Sequence, residues 1–166
     1  MDKQLSKVEL EHLREQDANY VVQQINQYIV IRLGNEQYGI SINYIDNIVR
    51  MQHITRVPKV ANYIRGVINL RGEVIPVMSL RLKMGLALDE YTKETRIIIV
   101  KLENNAPIGL IVDEVNEVVT LDERNIDSVI KDSKADDTFI NGIGKNGDNL
   151  ISLLDLNMVI GDKDIV

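Results

Sequence analysis

The chain has 166 residues and a mass of 18.8 kDa, enough for one domain or two small halves sharing a core. It has no Cys, no Trp and only two His, which excludes a disulfide framework, a thiolate nucleophile and a multi-His metal site. Its net charge of -6 argues against nonspecific nucleic-acid binding, and no run of 18 apolar residues offers a membrane span.

The N-terminus lacks the apolar core of a signal peptide, so the sequence reads as soluble and cytoplasmic. Residues 1–26 read as a leader or marginal helix. The stretch Ser6 to Gln16 holds good helix formers, but its apolar row of Leu10, Leu13 and Tyr20 is interrupted by Asp17. From Gln27 the pattern becomes β-rich. The chain carries 23 Ile and 18 Val, side chains that are stiff at χ1 and pack well on a pleated surface.

Tyr28–Leu33 is predicted as a strand, Gly34-Asn35-Glu36 as a hairpin turn and Gln37–Ile40 as the returning strand. Ser41 then caps a short helix that places Ile42, Ile45 and Ile48 at a spacing of three. A second unit starts at Gly66: strand Val67–Leu70, turn Arg71-Gly72, strand Glu73–Val77, then Leu80–Met84 and Gly85. Pro76 brings no backbone N–H, so its strand lies at an edge or turns that nitrogen away from the ladder.

The same order of elements then recurs. Ile29–Leu33 matches Ile98–Leu102, Tyr38-Gly39-Ile40 matches Ile108-Gly109-Leu110, and Ile45–Val49 matches Val115–Val119. Gly66–Gly85 and Gly142–Gly161 have equal length, with Val74-Ile75 on Leu150-Ile151 and Leu80 on Leu156. Two similar halves, about 27–90 and 95–161, follow, with a tail at 162–166. Neither half is large enough to bury a sizeable core alone. Two small barrels packed together solve that, with the exchange of strands between them left open.

Charge is uneven. Residues 50–83 carry seven Lys or Arg against Glu73 alone, whereas residues 103–148 carry eleven acids against four cations. Such halves orient a partner or favour head-to-tail contacts.

No catalytic constellation stands out. Gly142–Gly147 lacks both the ending of a phosphate loop and the spacing of a dinucleotide fingerprint, and reads as a strand with a tight turn at Asn146-Gly147. The acid pairs Asp113-Glu114 and Asp136-Asp137 read as solvent-facing, and His53 has no nearby Ser or Cys to serve as a base. A duplicated aliphatic β module without reactive groups reads as a binding or scaffolding protein, with no enzyme activity, cofactor or metal.

The run Asn69-Leu70-Arg71-Gly72, followed by Ile75-Pro76-Val77 and Leu80, resembles the signature of the CheW family of bacterial chemotaxis coupling proteins. Leu33–Ile40, Ile54-Thr55-Arg56-Val57-Pro58 and Gly109–Val115 agree with it, in order and spacing, over residues 27–161. The resemblance implies a mainly β fold of two similar five-stranded SH3-like barrels on a hydrophobic seam, with short helices.

It also implies a non-catalytic adaptor that couples the cytoplasmic tip of chemoreceptors to the regulatory domain of the histidine kinase CheA. Such adaptors act in receptor arrays and rings near the inner face of the membrane, without inserting into it and without nucleic acid. By the same resemblance the receptor-binding groove falls on Ile29, Ile42, Ile45, Ile48 and Val115, with Arg71 at its rim. The kinase-binding surface falls on Ile54, Val57, Pro58 and Gly66. Many relatives carry Glu where this chain has Asn47, with Asp46 beside it; either Asp46 takes over that acid's contact or the contact is lost.

Two other readings stay open: a coupling protein of another chemosensory pathway or a module of a larger kinase, and a small-ligand-binding β module. An enclosed polar pocket favours the last; an open apolar groove between the halves favours the adaptor.

Overall fold

The computed structural model describes residues 25–128 and 139–161. The helical reading of the leader, the Asp136-Asp137 pair and the tail from 162 lie outside them. The fold is mainly β. Its strands are β1 (Ile25–Leu33), β2 (Glu36–Ser41), β3 (Ile45–Arg50), β4 (Ile64–Leu70), β5 (Glu73–Ser79), β6 (Arg96–Val100), β7 (Ile108–Val112), β8 (Glu114–Asp122), β9 (Ile126–Ser128), β10 (Ile140–Asn146) and β11 (Asn149–Leu154). Two short helices, α1 (Leu80–Lys83) and α2 (Leu156–Ile160), follow β5 and β11.

The strands form a six-stranded sheet, β8-β1-β2-β11-β10-β9, and a five-stranded sheet, β3-β6-β7-β5-β4. The hairpin β1–β2 therefore pairs with C-terminal strands, and its repeat β6–β7 pairs with β3 and β5. Each hairpin has crossed into the sheet of the other half. Replacing each strand of the five-stranded sheet by its repeat mate gives the order of the six-stranded one, to which β9 is added.

The mates agree in detail. Ile45 pairs with Val100 and Ile48 with Ile98; Val115 pairs with Ile31 and Val118 with Ile29. The register slips at the same place in both ladders, leaving Asp46 and Asn116 unpaired in bulges. The slip between Ile64 and Gly66 recurs between Ile140 and Gly142. Parallel pairing joins β5 to β7 and β11 to β2, and in each pair a glycine, Gly109 or Gly39, sits where neighbouring side chains leave little room for a Cβ. A Cβ on Gly109 would lie 2.7 Å from Ile97 Cγ2, and one on Gly39 2.8 Å from Leu153 Cδ2.

Ile42–Tyr44 forms a single 3-10 turn, with Ser41 Oγ accepting from the Asn43 N–H, and the chain then extends into β3. The spacing of Ile42, Ile45 and Ile48 is thus not that of a helix. β-branched side chains and a partner strand of three consecutive Ile favour extension after one turn. Pro76 sits in β5, between β4 and β7, but only Val77–Ser79 pair with β7, so the missing N–H falls outside the parallel ladder.

The largest buried cluster joins both sheets: Ile29, Ile31 and Ile40 from one, Ile98, Val100 and Leu110 from the other, with Leu80 and Leu156 from the helices. Each sheet adds a smaller cluster of its own, around Ile97 and Ile99 or around Leu121 and Leu153. Ile, Val and Leu supply most of this bulk, with Tyr38 buried among them.

Candidate functional site

Every sheet leaves two edges, and β3 and β8 are an edge strand of each sheet. The two are repeat mates, and both border the shared cluster. Ile42, Ile45, Ile48 and Val115 are half-buried and pack against it from outside. Ile29 is only 8% exposed and belongs to the cluster, so it forms floor rather than rim.

A further side chain belongs to this face. Val118 pairs directly with Ile29, on the same side of the sheet, and is 56% exposed. It is the repeat mate of Ile48. Sequence reasoning carried the match Ile45–Val115 along the strand without using its next apolar pair, which is the signal that locates Val118. Ile42, Ile45, Ile48 and Val115 thus carry apolar surface outward from the shared cluster, and Val118 stands exposed beside its member Ile29.

The same stretch carries Asp46 and Asn47. Asp46 is the exposed bulge residue, while the Asn47 amide oxygen accepts from the Ile48 N–H at 2.8 Å. Of these two side chains Asp46 alone is an exposed acid.

Arg71 lies in the two-residue turn between β4 and β5, with φ 53°, followed by Gly72 at φ 82°. Two positive φ values define the hairpin turn that matches strand twist, for which Asn-Gly is the usual choice. Asn69 Oδ1 accepts from the Gly72 N–H at 3.1 Å and holds the turn. An exposed Arg in left-handed backbone costs of order 1 kcal/mol relative to Gly, and among the described residues no hydrogen bond or ion pair of its side chain offsets that.

The segment Ile54–Pro58 runs beside β4. Thr55 and Val67 exchange two backbone hydrogen bonds of 2.8 Å. Ile54 packs against the core of the five-stranded sheet, while Val57 and Pro58 are exposed. Gly66 is buried, with φ 139°, and a Cβ there would stand 2.1 Å from the Thr55 carbonyl oxygen. Gly66 thus positions the segment and cannot itself present a surface.

A polar clasp ties the sheets together near these faces. Asp113, between β7 and β8, accepts from Arg81 of α1 and from the Gly34 N–H at 2.8 Å. Arg32 of β1 reaches Asp113 at 3.6 Å and Glu114 at 3.0 Å. Nearby, Asp89 Oδ1 accepts from Ser79 Oγ, and burial pushes the Asp89 carboxyl above its ordinary range, against the lowering effect of the Ser79 bond. Ser79 also caps α1, accepting from the Leu82 N–H at 3.1 Å.

Among the described residues, no group of three or more His, Cys, Asp or Glu is placed to hold a metal ion. No helix among them is long and apolar enough to cross a membrane. The geometry offers apolar, edge-strand and charged surfaces for association.

The family profile described as CheW-like domain matches residues 27–164. The chain is 42% identical over 137 residues to a protein named chemotaxis protein CheW from Bacillus subtilis, covering 82% of this chain and 86% of that one. It is 36% identical over 138 residues to the protein of the same name from Helicobacter pylori, with 83% of each chain covered. The structure resembles the crystal structure of the scaffolding protein TtCheW from Thermoanaerobacter tengcongensis, with a TM-score of 0.75 and 34% sequence identity. That match covers 82% of this chain and 92% of the other.

Proposed function

The chain belongs to the CheW family, and from that premise we propose that it is a chemotaxis adaptor linking chemoreceptors to the histidine kinase CheA, acting in the cytoplasm without catalysis or cofactor. The observation that carries this reading is the apolar strip at the mated edges β3 and β8. Ile45, Ile48, Val115 and Val118 extend the shared core to the surface, where an apolar side chain left to water gains nothing. The receptor's cytoplasmic tip is a helical hairpin, and an amphipathic helix laid on this strip buries its apolar face by non-directional contacts.

Arg71 supplies a directional element. A guanidinium held in strained backbone at an exposed turn, without an ion pair among the described residues, is free to meet a partner's acceptors. Ile54, Val57 and Pro58 form the kinase-facing surface, positioned by the Thr55–Val67 bridge and Gly66. The two faces involve different residues, so one adaptor molecule engages both partners at once and can take a place in receptor–kinase rings.

The test is a pull-down from the native cytoplasm with the full chain as bait. Recovery of a CheA-type kinase together with methyl-accepting receptors is expected. Recovery of neither, from a folded bait, overturns the proposal.

A further inference from the structure

Around the Ile54–Pro58 segment lie two adjoining surface clefts of about 460 and 550 Å³. Arg56 and Arg65 line both. Met51, Gln52, Ile54 and Tyr91 complete the first, and Val57, Pro58 and Val60 stand along the second. Lys59 lies between Pro58 and Val60.

Among the described residues, no carboxylate forms an ion pair with Arg56, Lys59 or Arg65. Arg65 donates to the Asn62 carbonyl at 3.1 Å, a contact that fixes its direction without neutralising it. Glu90, beside Tyr91 in the chain, lines the separate cleft of Arg32 and Arg81 instead.

Lys59 has φ 60° in the turn Pro58-Lys59, a position that Gly occupies without strain. A cation is thus held in unfavourable backbone between the cleft-lining Pro58 and Val60, and among the described residues the two guanidinium groups of the clefts have no carboxylate partner. Exposed apolar side chains border them: Tyr91 at 51%, Val57 at 39% and Val60 at 38%. Arg and Tyr next to apolar side chains is the composition of a protein interface centre, and clefts this open suit a protein surface better than an enclosed small molecule.

Resting on the assignment of this face to the kinase, we propose that Arg56, Lys59 and Arg65 make it a docking site for a carboxylate-bearing surface of the kinase. The kinase's acidic groups meet the three cations while an apolar group of the kinase packs on Tyr91, Val57 and Val60. The attraction orients the encounter and persists in the bound state where the clefts exclude water.

The experiment is calorimetric titration of the full chain with the full-length CheA-type kinase of the same genome. Arg56→Glu and Arg65→Glu are each expected to weaken binding by about tenfold or more, with native circular dichroism. Lys59→Gly separates function from structure: it relieves the backbone, so thermal stability holds or rises, while affinity falls about threefold or more through loss of one cation. Raising salt from about 0.1 to 0.5 M is expected to weaken the wild type several-fold and an Arg56→Gln, Arg65→Gln double variant much less. Kinase binding that is insensitive to salt and to all these substitutions overturns the acidic docking site while leaving the kinase role intact. Failure of the wild-type chain to bind the kinase overturns both.

Discussion

Gly66→Ala tests how the kinase-facing segment is held. The added methyl would stand 2.1 Å from the Thr55 carbonyl oxygen, 2.8 Å from its carbon and 2.9 Å from Ile54 Cγ2. Two of those atoms are backbone, so no rotamer change relieves the contact. The Thr55–Val67 bridge must open, losing two hydrogen bonds of 2.8 Å at about 1 kcal/mol each. A φ of 139° adds about 1–3 kcal/mol for any residue with a Cβ. The expected loss is about 3–5 kcal/mol, a large share of the roughly 5–15 kcal/mol that a domain has. Urea denaturation followed by circular dichroism measures it. In a variant kept folded below its midpoint, kinase affinity should fall while binding of a receptor-tip peptide persists, because β3 and β8 are untouched. A loss below about 1 kcal/mol would mean that the segment shifts freely, and would refute the claim that Gly66 acts by fixing Thr55.

Other consequences are as direct. Val118→Asp should lower affinity for a receptor-tip helical hairpin about tenfold, equivalent to about 1.4 kcal/mol, with little change in stability because the site is 56% exposed; unchanged affinity removes β8 from the groove. Ile45→Asp should also weaken that binding, but its half-buried position makes a loss of stability part of the result. Arg71→Gly should leave stability unchanged or raise it by at most about 1 kcal/mol while impairing kinase activation in a reconstituted array; normal activation excludes Arg71 from the site. Asp89 has a raised folded-state pKa, so the folded protein holds its proton more tightly than the unfolded chain, and stability falls as pH rises from about 4 through the folded midpoint. Asp89→Asn should flatten that decline in urea midpoints measured against pH, and an unaltered profile would refute the assignment.

The repeated order of elements was legible because packing recurs with it. Gly39 and Gly109 recur where the side chains of neighbouring strands leave little room for a Cβ, and Ser79 and Asp155 recur as caps of the two helices. The Ile42, Ile45 and Ile48 spacing misled because one 3-10 turn followed by a strand can imitate three residues of helical stripe. How deeply Ile29 lies, at 8% exposure, was not legible, since an apolar residue in a strand carries no local mark of which layer covers it. Val118 was missed for the converse reason: exposure of a Val is decided by the edge position of β8, which is a property of the sheet.

Composition and repeat alone determined a mainly β protein built from two related halves, because Ile and Val at strand periodicity and paired glycines leave few other ways to bury a core. The motif around Arg71 determined the family. The tertiary structure decided which half each hairpin serves. Hairpins β1–β2 and β6–β7 are equally compatible with either sheet by local pattern, and only the long-range pairing of β1 with β8 and of β3 with β6 resolves it. That exchange leaves two mated edge strands on one shared core, and so it sets apolar side chains of both halves against the same cluster.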